Sequence, residues 1–355
     1  YEYSYNYQSW YPSAEYETNN TIKNVGLFDL TPFSKFEIKS DKAHQELQKI
    51  CTANIKNEPG KCVYTHMLNA DGGIETDLTV VCVDKNHFRI ISSAATRERD
   101  KFHINKHLPK NIELKDITDD LCVFGLFGPK SRDLLKTLSE DNFENDQFRF
   151  GFAKFITIDG VKIWTQRLSY VGELGYELYV DLKDTKKIYE LLIEKGKDFN
   201  LSNCGMHAMD IMRMESGFLH WGHDISPEEN QYQAGLSFTI SNKKNIDFIG
   251  KAALEKINKE KIKTRFAMFT LKDSKPGEPL LLHDEPIYLE KNIIGRSTSG
   301  NYSFNFKKNL TFGYIKNNFS NEKLRDSKLF IEVEKKKYEI ELIDKPLKQT
   351  NFKSN

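Results

Sequence analysis

The stretch that most restricts this chain is residues 64–83, YTHMLNADGGIETDLTVVCV. Residues 64–68 and 74–83 are strand-like runs. Between them Asn69-Ala70-Asp71-Gly72-Gly73 supplies residue types that tolerate positive φ, so the stretch predicts a β-hairpin. Asp77 is out of place in such a strand, because Asp is depleted among residues like Ile74, Leu78, Val80 and Val81 that pack a pleated surface. Glu75, Asp77 and Thr79 are spaced by two, and periodicity alone favours a solvated face for them. The alternative is a carboxylate held on a rigid strand at the wall of a pocket. Spacing leaves both open.

At 355 residues the chain exceeds the size of a single core, and two or three lobes are expected. No apolar run approaches the ~20 residues of a membrane helix, and no membrane span is expected. Lys plus Arg number 52 against 51 Asp plus Glu, leaving +1, which gives no general electrostatic reason to expect nucleic acid. The five cysteines are odd in number, scattered and without Cys-x-x-Cys spacing, so buried thiols in a reducing compartment are expected. A cytoplasmic location follows, or the mitochondrial matrix in a eukaryote. The chain opens at Tyr1 without Met, which reads as a processed product or a piece of something longer.

Residues 1–21 show neither helical nor strand period and are expected to wrap over a preformed surface, anchored by Tyr5, Tyr7, Trp10 and Tyr11. Residues 36–50 read as strand, polar turn and helix, with Ala43, Leu47 and Ile50 on one stripe; residues 122–138 repeat the plan with Leu134, Leu135 and Leu138. The repetition predicts duplicated α/β layers with helices over one face of mainly antiparallel sheets. A charged helix precedes Pro109, and its Arg97, Arg99 and Lys101 read as a solvated face.

A second hairpin, residues 152–168, turns at Asp159-Gly160 and runs into SYVGELGYELYV. Gly172 and Gly175 do not make a phosphate loop, since neither a Lys-Ser/Thr nor a dinucleotide-binding setting accompanies them. An amphipathic helix over residues 184–196 follows, and then a Met-rich helix in residues 204–217. Met209, Met212 and Met214 surround Arg213, a charge that must be paired or face a cavity. His220 and His223 lack the further ligands of a zinc site, so no metal is expected. Residues 255–263 are charged on all sides and read as a linker. Short strands follow at 265–271, 286–289, 293–297, 310–315, 328–333 and 338–342, predicting a small antiparallel barrel or sandwich with a frayed tail after Leu347.

GGIETDLTV preceded by YTHMLN resembles the signature hairpin of the glycine-cleavage T-protein (aminomethyltransferase) family. SYVGELGYELYV resembles the family's Tyr-Thr-Gly-Glu motif, and GRSTSGNYSF its C-terminal barrel. Trp10-Tyr11-Pro12 and NVGLFDLTPF are similar to the folate-binding half of dimethylglycine and sarcosine dehydrogenases. The resemblance implies an α+β, three-lobed folate-binding fold of duplicated α/β layers plus a C-terminal antiparallel β-barrel. Residues 1–21 would be the wrapping segment, 22–255 the folate-binding domain, 262–347 the barrel and 348–355 a tail.

It further implies Asp77 as catalytic carboxylate, with Tyr64, Thr79, Tyr170, Glu177, Arg213 and Phe238 binding folate. Asp224, Gly235 and Leu236 match the family pattern too. Gln233 departs from a family Glu, and Ser93 and Thr96 stand where Asn is more usual. Tetrahydrofolate is the implied co-substrate and 5,10-methylenetetrahydrofolate the product. The implied partners are a one-carbon amine donor and either a flavin dehydrogenase domain or subunit or a lipoyl carrier protein. A stand-alone aminomethyltransferase and a non-catalytic folate-binding protein are the alternatives. No Gly-x-Gly-x-x-Gly follows a strand, so no FAD site is expected within the chain.

Overall fold

The computed structural model describes residues 2, 7–257, 261–349 and 353. The hairpin forms as predicted, from β3 (Cys62–Leu68) and β4 (Ile74–Asp84). Its turn depends on glycine. Gly72 sits at φ +86°, in the left-handed region that only glycine adopts freely, and a Cβ on Gly73 would lie 1.9 Å from the Pro227 carbonyl oxygen. The Asn69 side chain closes the turn by accepting from the Asp71 and Gly73 amides at 3.0 and 2.9 Å.

β3 and β4 join β5 (His87–Ser92), β2 (Ser34–Lys39) and β6 (Leu114–Asp116) in an antiparallel sheet ordered β3-β4-β5-β2-β6. A second sheet is ordered β11-β1-β7-β10-β9-β8, from β11 (Leu201–Cys204), β1 (Val25–Asp29), β7 (Leu121–Phe127), β10 (Gly175–Asp181), β9 (Val161–Gln166) and β8 (Ala153–Ile158). It is antiparallel except for the β1–β11 pair.

The duplicated strand-turn-helix plan is present. Helices α2 (Ala43–Ile50) and α3 (Arg97–His107) cover the outer face of the first sheet, where Leu47 and Ile104 are fully buried with Phe36, Val80 and Ile90. Helices α4 (Ser131–Leu138) and α5 (Thr185–Gly196) do the same for the second, burying Leu134, Leu135, Ile188 and Leu192. Each such leucine withdrawn from water contributes about 1.5–3 kcal/mol. The inner faces of the two sheets meet, and Cys62 and Val81 from one pack with Phe28, Val123, Trp164 and Tyr179 from the other. All five cysteines are buried and unpaired.

The third lobe is a closed six-stranded barrel, β12-β15-β14-β13-β16-β17. Its strands are β12 (Thr264–Leu271), β13 (Pro286–Leu289), β14 (Asn292–Ser303), β15 (Lys308–Lys316), β16 (Leu329–Val333) and β17 (Lys336–Ile343). Its interior is apolar. No helix among the described residues is long and apolar enough to cross a membrane.

Both chain ends differ from expectation. Tyr11–Lys23 is a 13-residue helix, α1, with Pro in its first turn, where the fixed φ suits a helix and the missing N–H costs nothing. Its buried stripe is Tyr11, Ala14, Thr18 and Thr21, spaced at helical period but made of small and polar residues that carry little hydropathy signal. Of the predicted anchors, Tyr11 packs edge-on against Phe304 and Trp10 stacks on His207, while Tyr7 is exposed and Tyr5 lies outside the described residues. Of the tail beyond Leu347, residues 350–352 and 354–355 lie outside the described residues, and Lys348 is held in place. Lys348 is 8% exposed, with its amide bonded to the Glu215 carbonyl and its ammonium paired with Glu173. The predicted linker includes residues 258–260, outside the described residues.

Candidate active site

The β3–β4 register pairs Cys62 with Val81, Tyr64 with Thr79 and His66 with Asp77. Side chains alternate across a strand, so these six share the face that Cys62 and Val81 turn toward the second sheet. Asp77 and Thr79 do share one face, as their spacing predicts, but that face is the gap between two sheets rather than open solvent, while Glu75, at a register shift of the β3–β4 pair, bonds Arg99 of α3. Period two states which residues share a face and not what covers it.

Asp77 is half-buried there. Burial pushes its carboxyl up to about 6, opposed by the Tyr64 hydroxyl 3.1 Å from Oδ2 and reinforced by the negative charge of Asp100 on α3. Tyr64 keeps 39% of its surface, yet burial is the main cause raising its hydroxyl well above the ordinary value, followed by Asp77. A side chain both accessible and enclosed lines a cleft. Behind it His66 is fully buried, its Nε2 3.2 Å from the Tyr64 hydroxyl and its Nδ1 3.0 Å from the Thr239 hydroxyl; burial drives its pKa down to about 3, so the ring is neutral. Thr79 is half-buried beside Tyr64.

Glu177 stands on β10 opposite Cys62, close enough for its charge to bear on that thiol. It is half-buried and accepts from the Tyr179 hydroxyl at 2.9 Å, and burial pushes its carboxyl up to about 7. Its cross-strand neighbour Gln166 is fully buried with neither amide atom bonded, and the indole N–H of Trp164 on the same face is also unbonded. Polar groups are rarely left so. From Cys62, opposite Glu177, to His66, beside Asp77, is four residues, or roughly 13 Å of strand. Glu177 and Asp77 therefore stand on facing sheets, offset by about four residues along β3.

Tyr170 closes another side. Its loop is fixed by Gly172, at φ +71°, whose missing Cβ would stand 2.1 Å from Ser216 Oγ. Its hydroxyl donates to the Leu219 carbonyl at 3.0 Å, its ring stacks on Phe218 with centroids 6.0 Å apart, and it lies within electrostatic reach of both Tyr64 and Asp77.

Arg213, on helix α6 (Met206–Glu215), is paired rather than open to the cleft. Its guanidinium, 2% exposed, bonds Asp210 at 2.7 Å, the Phe218 carbonyl at 3.0 Å, Asp224 at 2.5 Å and Ser299 at 2.9 Å. Asp224 also accepts from Thr298 and Ser299 of β14 at 2.6 and 2.8 Å. The pair is thus a buried joint binding α6 to the barrel. Phe238 is not brought to the wall. It projects from a 3-10 turn, Ser237–Thr239, with 76% of its surface exposed, while the adjacent Thr239 turns inward to His66.

Arg99 departs from the solvated-face reading. It bonds the Glu75 carboxylate and carbonyl at 2.6 and 2.9 Å and lies 4.6 Å over the Trp221 ring, bracing the start of β4. Arg97 pairs with Asp116 and Asp119, and Lys101 with Asp116. Gln233 accepts from Asn230 and donates to Thr264, stapling its loop to the barrel. His220 and His223 pack as neighbouring rings, and no metal-binding group of side chains occurs among the described residues. An open groove of about 670 Å³ on the barrel is lined by the charged residues Arg296, Asp284, Lys316 and Glu229; the first two pair with each other, Lys316 bonds the Ile293 carbonyl, and Glu229 accepts from the Ser226 hydroxyl at 2.7 Å.

A family model described as GCVT N-terminal domain matches residues 1–244, and one described as glycine cleavage T-protein C-terminal barrel domain matches residues 265–348. The chain belongs to the glycine cleavage T-protein family. It is 36% identical over 303 residues to 4-methylaminobutanoate oxidase (formaldehyde-forming) of Paenarthrobacter nicotinovorans, covering 85% of this chain and 36% of that protein. Dimethylglycine dehydrogenase of Rattus norvegicus is 32% identical over 319 residues, 89% of this chain and 37% of that protein. The chain thus spans little more than a third of these relatives. An aminomethyltransferase of Alkaliphilus metalliredigens is 30% identical over 93% of this chain and 88% of its own length. The crystal structure of aminomethyltransferase T from Bartonella henselae superposes with TM-score 0.82 at 20% identity, over 94% of this chain and 89% of that one, and so shares the fold.

For this family member, sequence reasoning passed over His66, Thr239 and Tyr179. His66 reads as one polar residue in an alternating strand, Tyr179 as an ordinary strand aromatic, and Thr239 meets His66 across 173 residues. Tyr179 and His66 left a local signal, since they lie two residues from Glu177 and Tyr64 and so on the same faces.

Proposed function

We propose that this chain forms 5,10-methylenetetrahydrofolate by accepting a one-carbon unit onto tetrahydrofolate, with Asp77 as the acid–base group. The observation that carries this reading is Asp77 itself: a carboxyl on a rigid strand, on the wall of a cleft, raised to about 6. A group titrating near working pH exchanges protons in both directions, and such catalysis is worth ~10²–10⁴-fold. The pterin's amino and ring N–H groups form a donor edge that Glu177 can pair with bidentately. Tyr170 supplies an aromatic wall, and the offset between Glu177 and Asp77 suits a flat bicyclic ring that presents its N5/N10 edge to Asp77. Tyr64 and Thr79 line the same stretch.

In the reaction one folate nitrogen attacks an iminium carbon, CH2=N⁺, forming a C–N bond; Asp77 takes the proton released from that nitrogen. Asp77 returns that proton to the donor amine, which leaves as the second folate nitrogen closes the methylene bridge and gives up its own proton to the departed amine or to water. Formaldehyde as donor loses water instead. The iminium or formaldehyde would come from a flavin-dependent demethylating dehydrogenase of which this chain is a part or partner, a version supported by the one-third coverage of the oxidase and dehydrogenase relatives. The stand-alone aminomethyltransferase reading is supported by the relative that this chain covers almost end to end. Incubating the chain with tetrahydrofolate and formaldehyde, or with an aminomethyl donor, tests the proposal. Methylenetetrahydrofolate formed faster than the uncatalysed condensation is expected; folate binding without acceleration would leave a binding protein only.

A further inference from the structure

The Tyr64 hydroxyl has one proton and two acceptors within reach, Asp77 Oδ2 at 3.1 Å and His66 Nε2 at 3.2 Å. Which nitrogen of His66 can accept is settled on its far side. Thr239 donates its hydroxyl proton to the Leu236 carbonyl at 2.7 Å, so its oxygen can only accept from His66 Nδ1, 3.0 Å away. A neutral imidazole has one N–H; with it on Nδ1, Nε2 must be an acceptor. We propose that His66 is a positioning residue for Asp77: it competes for the single Tyr64 proton and thereby favours the neutral, proton-donating form of the carboxyl.

Counting donors gives the direction. When Asp77 is protonated, its O–H donates to Tyr64, Tyr64 donates to His66 Nε2, His66 Nδ1–H donates to Thr239, and every group in the chain is satisfied. When Asp77 is ionised, Tyr64 turns to the carboxylate and buried Nε2 loses its donor, which costs free energy. No bond other than hydrogen bonds changes, and no proton leaves the chain except the one Asp77 exchanges with substrate or water. The other groups facing Asp77 are Asp100 on α3, whose charge opposes ionisation, and Tyr170 across the cleft, while Glu75 further along β4 is neutralised by Arg99. His66 itself stays neutral, since burial holds it near 3.

This inference rests on the folate-transfer reading for its consequence but not for its test. The probe is the titration of Asp77 in the whole chain labelled with γ-¹³C aspartate, assigned by loss of the signal in Asp77→Asn. His66→Leu should move the titration to lower pH by about 1 pH unit, the worth of one hydrogen bond. Thr239→Val frees the ring to present Nε2–H to Tyr64 and should move it the same way. Tyr64→Phe should move it upward, and on that background His66→Leu should move it no further. A merely structural role for His66 would not produce opposite signs or abolish the effect when Tyr64 is gone. An unchanged or raised titration in folded His66→Leu overturns the proposal; should that variant not fold, an unchanged or raised titration in Thr239→Val does so. If the titration moves as described but the acid limb of turnover does not follow it, the hydrogen-bond chain stands and the catalytic role of Asp77 falls.

Discussion

Replacing Asp77 by Asn should make the protein more stable at neutral pH and less active. The carboxyl rises from 3.8 to about 6 in the fold, chiefly through burial, and that difference corresponds to about 3 kcal/mol at most. The sign follows from linkage. A carboxyl whose folded pKa is raised holds its proton more tightly in the fold than in the unfolded chain, so ionising it costs stability as pH climbs through roughly 4 to 6. Above that window the wild type carries the whole penalty; below it, none. Asn cannot ionise, and its amide N–H can donate to the Tyr64 oxygen as the protonated acid does. The variant should therefore match the wild type near pH 4 and exceed it by up to about 3 kcal/mol at pH 8. Urea unfolding of both proteins across that range measures the difference, and Glu177, which titrates in both, cancels from it. An Asn variant less stable at pH 8, or a difference that does not vary with pH, would refute the picture of a carboxyl enclosed at a cleft wall.

Glu177→Gln should weaken tetrahydrofolate binding about 10–100-fold, the worth of charge-assisted hydrogen bonds. Because burial holds Glu177 near 7, wild-type affinity should also fall as pH drops below 7 while the variant's stays flat; titration calorimetry at pH 6 and pH 8 reads both effects. Arg213→Met removes one partner of a fully buried pair and leaves Asp224 uncompensated, which should cost about 3–5 kcal/mol in thermal or urea unfolding. A neutral result there would place the barrel's attachment elsewhere.

The parts of the fold legible in sequence were those whose period matches what covers them. Leu47 and Ile50, or Leu134 and Leu135, announce a helix lying on a sheet, and the alternating strands after residue 264 announce the barrel. Helix α1 escaped because Ala14, Thr18 and Thr21 form a stripe without much hydropathy. Asp77 was ambiguous for a different reason: alternation assigned its face correctly, but the covering sheet comes from residues 25–204 and leaves no mark on residues 74–84. Arg213 announced that it needed a partner, while Asp224 and Ser299, 11 and 86 residues away, could be named only in three dimensions. Phe238 matched a family pattern, yet a three-residue turn points it outward and brings Thr239 in.

The decisive measurement is turnover and tetrahydrofolate affinity side by side for wild type and Asp77→Asn, with folding checked by circular dichroism. The account predicts an affinity within a few-fold of wild type and a rate of methylenetetrahydrofolate formation lower by ~10²–10⁴-fold. A variant that binds folate and forms product at the wild-type rate would contradict it.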